Sequence, residues 1–207
     1  IPILDTEIKG DVFVIHFYSF TEDSASKFQE ALKKFSDSGK SRLIVDLRGN
    51  GGGYLDSAIN IASFFLPKDK LIVSEKNSKL GDGKKHYSLG YDFFNHNVLK
   101  LGVLIDGGSA SASEILAGAL KDNGVATIIG EKSFGKGSVQ QLIKLSDGSD
   151  LKVTVAKWFT PNGINISESG INPDAVATSS EVTKLDTAGK LIDEQLNKAV
   201  DVVSKMK

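Results

Sequence analysis

A chain of 207 residues with 40% hydrophobic and 25% charged side chains is long enough for one compact domain with a real core. Its net charge of −1 gives no reason to expect nucleic acid or an anionic membrane as a partner. The absence of cysteine excludes a disulfide scaffold, a thiolate nucleophile and a Cys-ligated zinc, and no apolar run approaches the roughly 20 residues of a membrane span.

The chain opens on Ile1 without a leader pattern, as expected of a processed form or an excised domain. Residues 11–20, β-branched and aromatic, read as a strand. A helix follows, with Thr21 as candidate N-cap, Ala25, Phe28, Leu32 and Phe35 on one face and Gly39 as its stop. Residues 42–47 form a short continuous apolar run, the pattern of a strand buried on both faces. The glycine-rich "RGNGGG" comes next, then a helix over 54–66 stopped by Pro67.

Residues 70–75 read as a strand, and the polar stretch that follows as a long excursion holding a candidate hairpin. Residues 98–106 form another buried strand, 109–123 a third helix and 125–130 a strand. Two further strands flank "SDGSD", whose Asp-Gly pair marks a hairpin turn. Residues 160–174 read as loop. Residues 185–207 form an amphipathic helix carrying Leu191, Ile192, Leu196, Ala199 and Val203, a stripe that fits packing on the core or a homodimer contact. Strands alternate with helices, so the class is α/β.

The stretch "DGGSASASEI" joins a strand to a helix. A serine nucleophile there has unpaired backbone N–H groups and the positive end of the helix dipole at hand for an oxyanion. Ser109 reads equally as a helix cap within a small-residue packing face. A serine needs a base. His16 lies mid-strand, His86 and His96 lie in the polar excursion, and no motif surrounds any of them. Lysine is the other base known for serine, and it must be neutral, which burial in an apolar pocket favours. Lys136, between Gly135 and Gly137 and beside Phe134, is the candidate. Gln140, at an even spacing, is expected on the same face of a strand, where its amide oxygen can orient the lysine. The loop "DLRGNGGG" lacks the Lys-Ser/Thr of a P-loop and the spacing of a dinucleotide site. It suits presentation of backbone N–H groups to an oxyanion, or close approach of an extended peptide, or a plain tight turn.

Three segments, "LIVDLRGNGGG", "DGGSASASEILAGALKDNGVATIIGEKSFGKGSVQ" and "FTPNGINISESGINPD", occur in the order found in the carboxyl-terminal processing peptidases, or tail-specific proteases, and the chain resembles that family over about residues 42–174. The resemblance implies a ClpP/crotonase-like superhelical core and a serine peptidase with Ser111 as nucleophile, Lys136 as general base and Gln140 beside it. It also implies an oxyanion hole from the amide of Ala112 and a glycine amide of the loop 51–53, Gly52 first. Asp122 matches a position linked to activity and reads as structural support. No cofactor or metal is implied. The implied substrates are polypeptides with apolar C-terminal residues, and the implied location is the bacterial cell envelope or another extracytoplasmic space. The family usually carries a PDZ domain before this core. No PDZ pattern is present in residues 1–207, which are expected to be a single catalytic core. The alternative reading is a protease-like core that is inactive, or that needs its PDZ domain, and acts as a peptide-binding module.

Overall fold

The computed structural model describes residues 2–77, 81–91, 93, 99–145, 147–178 and 192–206. Strands β1 (Leu4–Lys9) and β2 (Val12–Phe17) form an antiparallel hairpin at one edge of the main sheet. Helix α1 (Ser24–Asp37) then crosses to β3 (Arg42–Asp46), which lies parallel to β2. Helix α2 (Leu55–Ser63) leads to β4 (Leu71–Asn77) and β5 (Gly81–Tyr87). Strand β6 (Lys100–Ile105), helix α3 (Ala112–Asp122) and β7 (Thr127–Gly130) return the chain to the main sheet. Strands β8 (Ser138–Lys144) and β9 (Asp150–Phe159) form the hairpin expected around the Asp-Gly turn. A one-turn helix α4 (Ile166–Ser169), the two-residue β10 (Ala175–Val176) and helix α5 (Glu194–Ser204) complete the order.

The main sheet runs β1-β2-β3-β6-β7-β10 and is parallel apart from its first pair. Its central strands are buried on both faces, as their unbroken apolar runs require. On one face Phe13, Ile15, Phe17, Leu43, Val45, Val103 and Ile105 pack with α1, α2 and α3. On the other, Val12, Val14, Ile44, Leu104 and Ile129 receive Leu196, Ala199 and Val203 of α5. Leu196, Ala199 and Val203 of the C-terminal stripe are thereby buried on the core, while Ile192 is exposed. Gly102 makes the approach possible, since a Cβ there would lie 2.6 Å from Val203.

The second sheet, β5-β4-β9-β8, is antiparallel. Of the polar excursion, Gly81–Tyr87 forms β5, paired antiparallel with β4, with His86 Nε2 against Glu75 Oε1 at 3.0 Å. Several expectations shift: α2 ends at Ser63, short of Pro67, and α3 begins at Ala112 instead of Ser109. Helix α1 starts at Ser24 instead of just after Thr21, with Asp23 as N-cap, and the 160–174 loop contains α4. The C-terminal helix begins only at Glu194, because Asp193 caps it by accepting the Leu196 N–H, so Ile192 and Asp193 of the expected helix lie outside it; residues 185–191, including Leu191, lie outside the described residues.

Candidate active site

The turn after β6 is built on Asp106. Its Oδ1 accepts the N–H of Gly49 at 2.9 Å, of Gly108 at 2.8 Å and of Ser109 at 3.1 Å. Ser109 is fully buried and donates its hydroxyl to the Leu47 carbonyl at 2.8 Å. Ser113 is also fully buried and donates to the Asn50 carbonyl at 2.8 Å. Both hydroxyls fasten the start of α3 to the loop after β3. Neither is placed to attack a substrate.

Ser111 differs from both. It is the partly exposed N-cap of α3, with φ 57 and ψ −115. That backbone conformation costs a non-glycine residue about 1–3 kcal/mol. The sharp turn presents the side chain at the positive end of the helix dipole, next to the N–H of Ala112, which opens the helix and so has no intrahelical acceptor.

The glycine loop lies directly against this turn. Gly52 has φ +95, and a Cβ there would sit 2.6 Å from the Ala110 carbonyl oxygen and 2.8 Å from both Ala112 N and Ser111 Cβ. Only glycine permits this contact between the two backbones. The Gly52 N–H donates to Asn50 Oδ1 at 2.9 Å, so in this structure that amide is already engaged. Asn50 in turn donates its amide to the Phe17 carbonyl at 2.7 Å, and Gly53 bridges to Phe20. The loop is thereby tied to the end of β2.

Lys136 lies in the loop between β7 and β8, two residues before β8 begins, and its side chain is exposed. The apolar enclosure anticipated for it is absent from this arrangement. Gln140 is exposed on β8, opposite Thr154. Because the strand begins at Ser138, the alternation argument does not extend back to Lys136. The backbones of the two candidate catalytic residues converge, since the N–H groups of Ser111 and Lys136 each lie 2.9 Å from Glu114 Oε2. No hydrogen bond joins their side chains among the described residues. Asp122 ends α3, eleven residues or about 16 Å of helix rise from Ser111. Its carboxylate accepts the Asn162 N–H at 2.8 Å and so holds the loop after β9. Sequence reasoning passed over Glu114. Its signal was the Ser-x-x-Glu spacing of a capping box from Ser111.

The histidines serve elsewhere. His16 points to the α5 side of the sheet, bonding Asp46 Oδ2 at 3.0 Å and Glu7 Oε1 at 2.9 Å. His86 meets Glu75, and His96 lies outside the described residues. Asp46 also receives Arg48, whose guanidinium reaches Asp193 Oδ2 at 2.7 Å. These groups line a cleft of about 570 Å³, and the ion-pair chain fixes the residue that leads into the glycine loop. The hydrogen bond to Asp46 raises the His16 pKa above its ordinary value near 6.5, against the effect of burial. Burial pushes Asp46 and Asp193 up, but the bonds from His16 and Arg48 to Asp46, and from Arg48 and the Leu196 N–H to Asp193, outweigh it and hold both below the ordinary 3.8. His16 therefore contributes stability that is complete below about pH 6.5 and lost as pH rises through its raised value. The two aspartates contribute stability that is complete above about pH 3.8 and lost as pH falls through their depressed values. Urea unfolding as a function of pH is expected to show highest stability between about pH 4 and 6.5, and His16→Gln is expected to remove the decline on the alkaline side.

Residues 11–177 match the model of peptidase family S41. The chain belongs to that family. It is 43% identical over 172 residues to the carboxy-terminal processing protease CtpB of Bacillus subtilis, a match covering 82% of this chain and 35% of that protein. It is 42% identical over 173 residues to the carboxy-terminal-processing protease of Bartonella bacilliformis, covering 82% of this chain and 39% of that one. Among solved structures, the photosystem II D1 C-terminal processing protease superposes with a TM-score of 0.77 at 35% identity, over 86% of this chain and 45% of that one. The S41 chain thus spans little more than a third of the curated relatives it matches. Its α/β architecture agrees with the ClpP/crotonase-like fold. No helix among the described residues is long and apolar enough to cross a membrane.

Proposed function

We propose that this chain is the catalytic core of a serine endopeptidase that cleaves polypeptides near their C-terminus. The observation that carries the reading is the division of labour among the three serines. Ser109 and Ser113 are buried and bonded to backbone, while Ser111 alone is partly exposed, on a strained helix-capping turn beside the glycine loop.

Lys136 takes the Ser111 proton as the hydroxyl attacks the scissile carbonyl, and returns it to the leaving amine. A second round with water releases the acyl group. The Ala112 N–H and an N–H of the loop 51–53 receive the oxyanion. Gly52 can serve only by giving up Asn50, whereas the N–H groups of Gly51 and Gly53 have no partner among the described residues. Lys136 is exposed in the free chain, so the bound polypeptide supplies part of the cover that a neutral base needs. Gln140 orients the Lys136 amine once that cover is in place. Phe134 and Tyr54, 67% and 57% exposed and each two residues from Lys136 or Gly52, offer apolar contacts for apolar C-terminal residues. Asp122 supports the loop it caps. The family resemblance favours action in the bacterial envelope, with residues 1–207 as one catalytic unit.

Treatment with a fluorophosphonate, which reports activated serines, is expected to give one adduct per chain, on Ser111. Lys136→Ala is expected to slow its formation by about 10²-fold or more. An adduct on another residue, or labelling indifferent to Lys136, contradicts the assignment. A core that only binds peptide gives no adduct.

A further inference from the structure

Glu114 is fully buried, and among the described residues it has no ion-pair partner. A lone carboxylate is costly to bury unless its oxygens are satisfied. Here they are. Oε1 accepts the Ser133 hydroxyl at 2.6 Å and the Gly135 N–H at 2.7 Å. Oε2 accepts the Ser111 N–H and the Lys136 N–H, both at 2.9 Å. Four donors match the roughly four acceptor sites of an ionised carboxylate. All four come from the two loops that carry the candidate nucleophile and the candidate base.

We propose that Glu114 is a positioning residue that sets the distance between Ser111 and Lys136. This rests on the Ser–Lys reading above. Two backbone nitrogens that share one oxygen at hydrogen-bond length stand within about 6 Å of each other. That link closes the gap between the start of α3 and the loop before β8. It also holds the Ser111 backbone in its positive-φ turn, because the same N–H would otherwise be an unpaired helix-terminal donor. The second oxygen braces the lysine loop at Gly135 and at Ser133. Ser133 Oγ is itself fixed by the Ile171 N–H at 2.7 Å. A neutral amide cannot reproduce this set, since its NH2 would face the Gly135 N–H in one orientation and the Ser111 and Lys136 N–H groups in the other.

The test is steady-state cleavage of a fluorogenic peptide with apolar C-terminal residues, comparing wild type, Glu114→Gln, Ser133→Ala and Lys136→Ala at a temperature where each remains folded by circular dichroism. Positioning predicts that Glu114→Gln lowers kcat by about 10²-fold, the usual cost of a misplacement near 1 Å, with KM within about twofold of wild type. Ser133→Ala, which removes one donor and leaves the Ser111 and Lys136 bonds, is expected to lower kcat by about five- to tenfold, also at unchanged KM. It carries the test if Glu114→Gln does not fold. Wild-type kcat in the folded Glu114→Gln, or in Ser133→Ala where Glu114→Gln does not fold, overturns the proposal. So does a loss that falls on KM. A different result marks failure of the underlying reading: cleavage by wild type that Lys136→Ala leaves intact shows that no Ser–Lys pair exists to be positioned.

Discussion

Ser111→Gly is expected to abolish turnover and yet to melt at a higher temperature than the wild type. Removing the nucleophile of a serine peptidase costs on the order of 10⁶ in kcat. The stability gain has a separate origin. Ser111 and Asp69 are the positive-φ non-glycine residues of the described chain, and Ser111 combines φ 57 with ψ −115. Glycine adopts that conformation freely, which relieves about 1–3 kcal/mol. Its greater freedom in the unfolded chain returns part of this, about 0.5–1 kcal/mol. A net gain near 1 kcal/mol corresponds to a Tm about 2–4 °C higher for a domain of this size. Ser111→Ala, equally inactive, keeps the strain and should melt close to wild type. Differential scanning calorimetry of the three proteins separates strain from chemistry. If Ser111→Gly melts below Ser111→Ala, the turn is not strained in the way the dihedral angles indicate.

Gly52→Ala is expected to carry a large structural penalty at the candidate site. The new methyl group would lie 2.6 Å from the Ala110 carbonyl oxygen and 2.8 Å from Ala112 N and Ser111 Cβ, on a residue with φ +95. The contact atoms are backbone or the first side-chain carbon, so no flexible side-chain end can swing away. The glycine loop and the Ser111 turn must therefore part. Overpacking and forced positive φ together cost about 2–4 kcal/mol, which lowers Tm by roughly 5–15 °C. Because the displaced groups are the Ser111 turn and the proposed oxyanion donors, kcat is expected to fall by at least about 10²-fold even where the protein remains folded. Calorimetry and peptide cleavage on the same sample check both. Near wild-type values would mean that the two loops are not in contact in solution.

The sequence made the main sheet legible because its central strands are apolar on both faces and its helices carry apolar stripes at helical spacing. Short elements escaped for a physical reason. β10 has two residues and exists only through its pairing with β7, and α4 is a single turn capped by Asn165. β5, "GDGKKHY", has few strand-forming residues, and its pairing with β4 and the Glu75–His86 contact stand in for intrinsic preference. At the site, the bare sequence offered Ser109 as the helix cap. The helix instead starts after Ser111, because Ser109 is drawn into the Asp106 turn and down onto Leu47. That choice depends on contacts across 62 positions of sequence, which local spacing does not encode. The exposure of Lys136 was equally out of reach, since flanking glycines permit an inward and an outward lysine alike. Glu114 was within reach as half of a capping box, but its bonds to Ser133, Gly135 and Lys136 come from a loop about twenty residues on.

The most direct measurement is mass spectrometry of an unfolded polypeptide with an apolar C-terminal tail after incubation with this chain and with its Ser111→Ala variant. New fragments cut near the C-terminus are expected from the first and an intact polypeptide from the second. Fragments from both proteins, or an intact polypeptide bound but uncut by both, would contradict the proposed function.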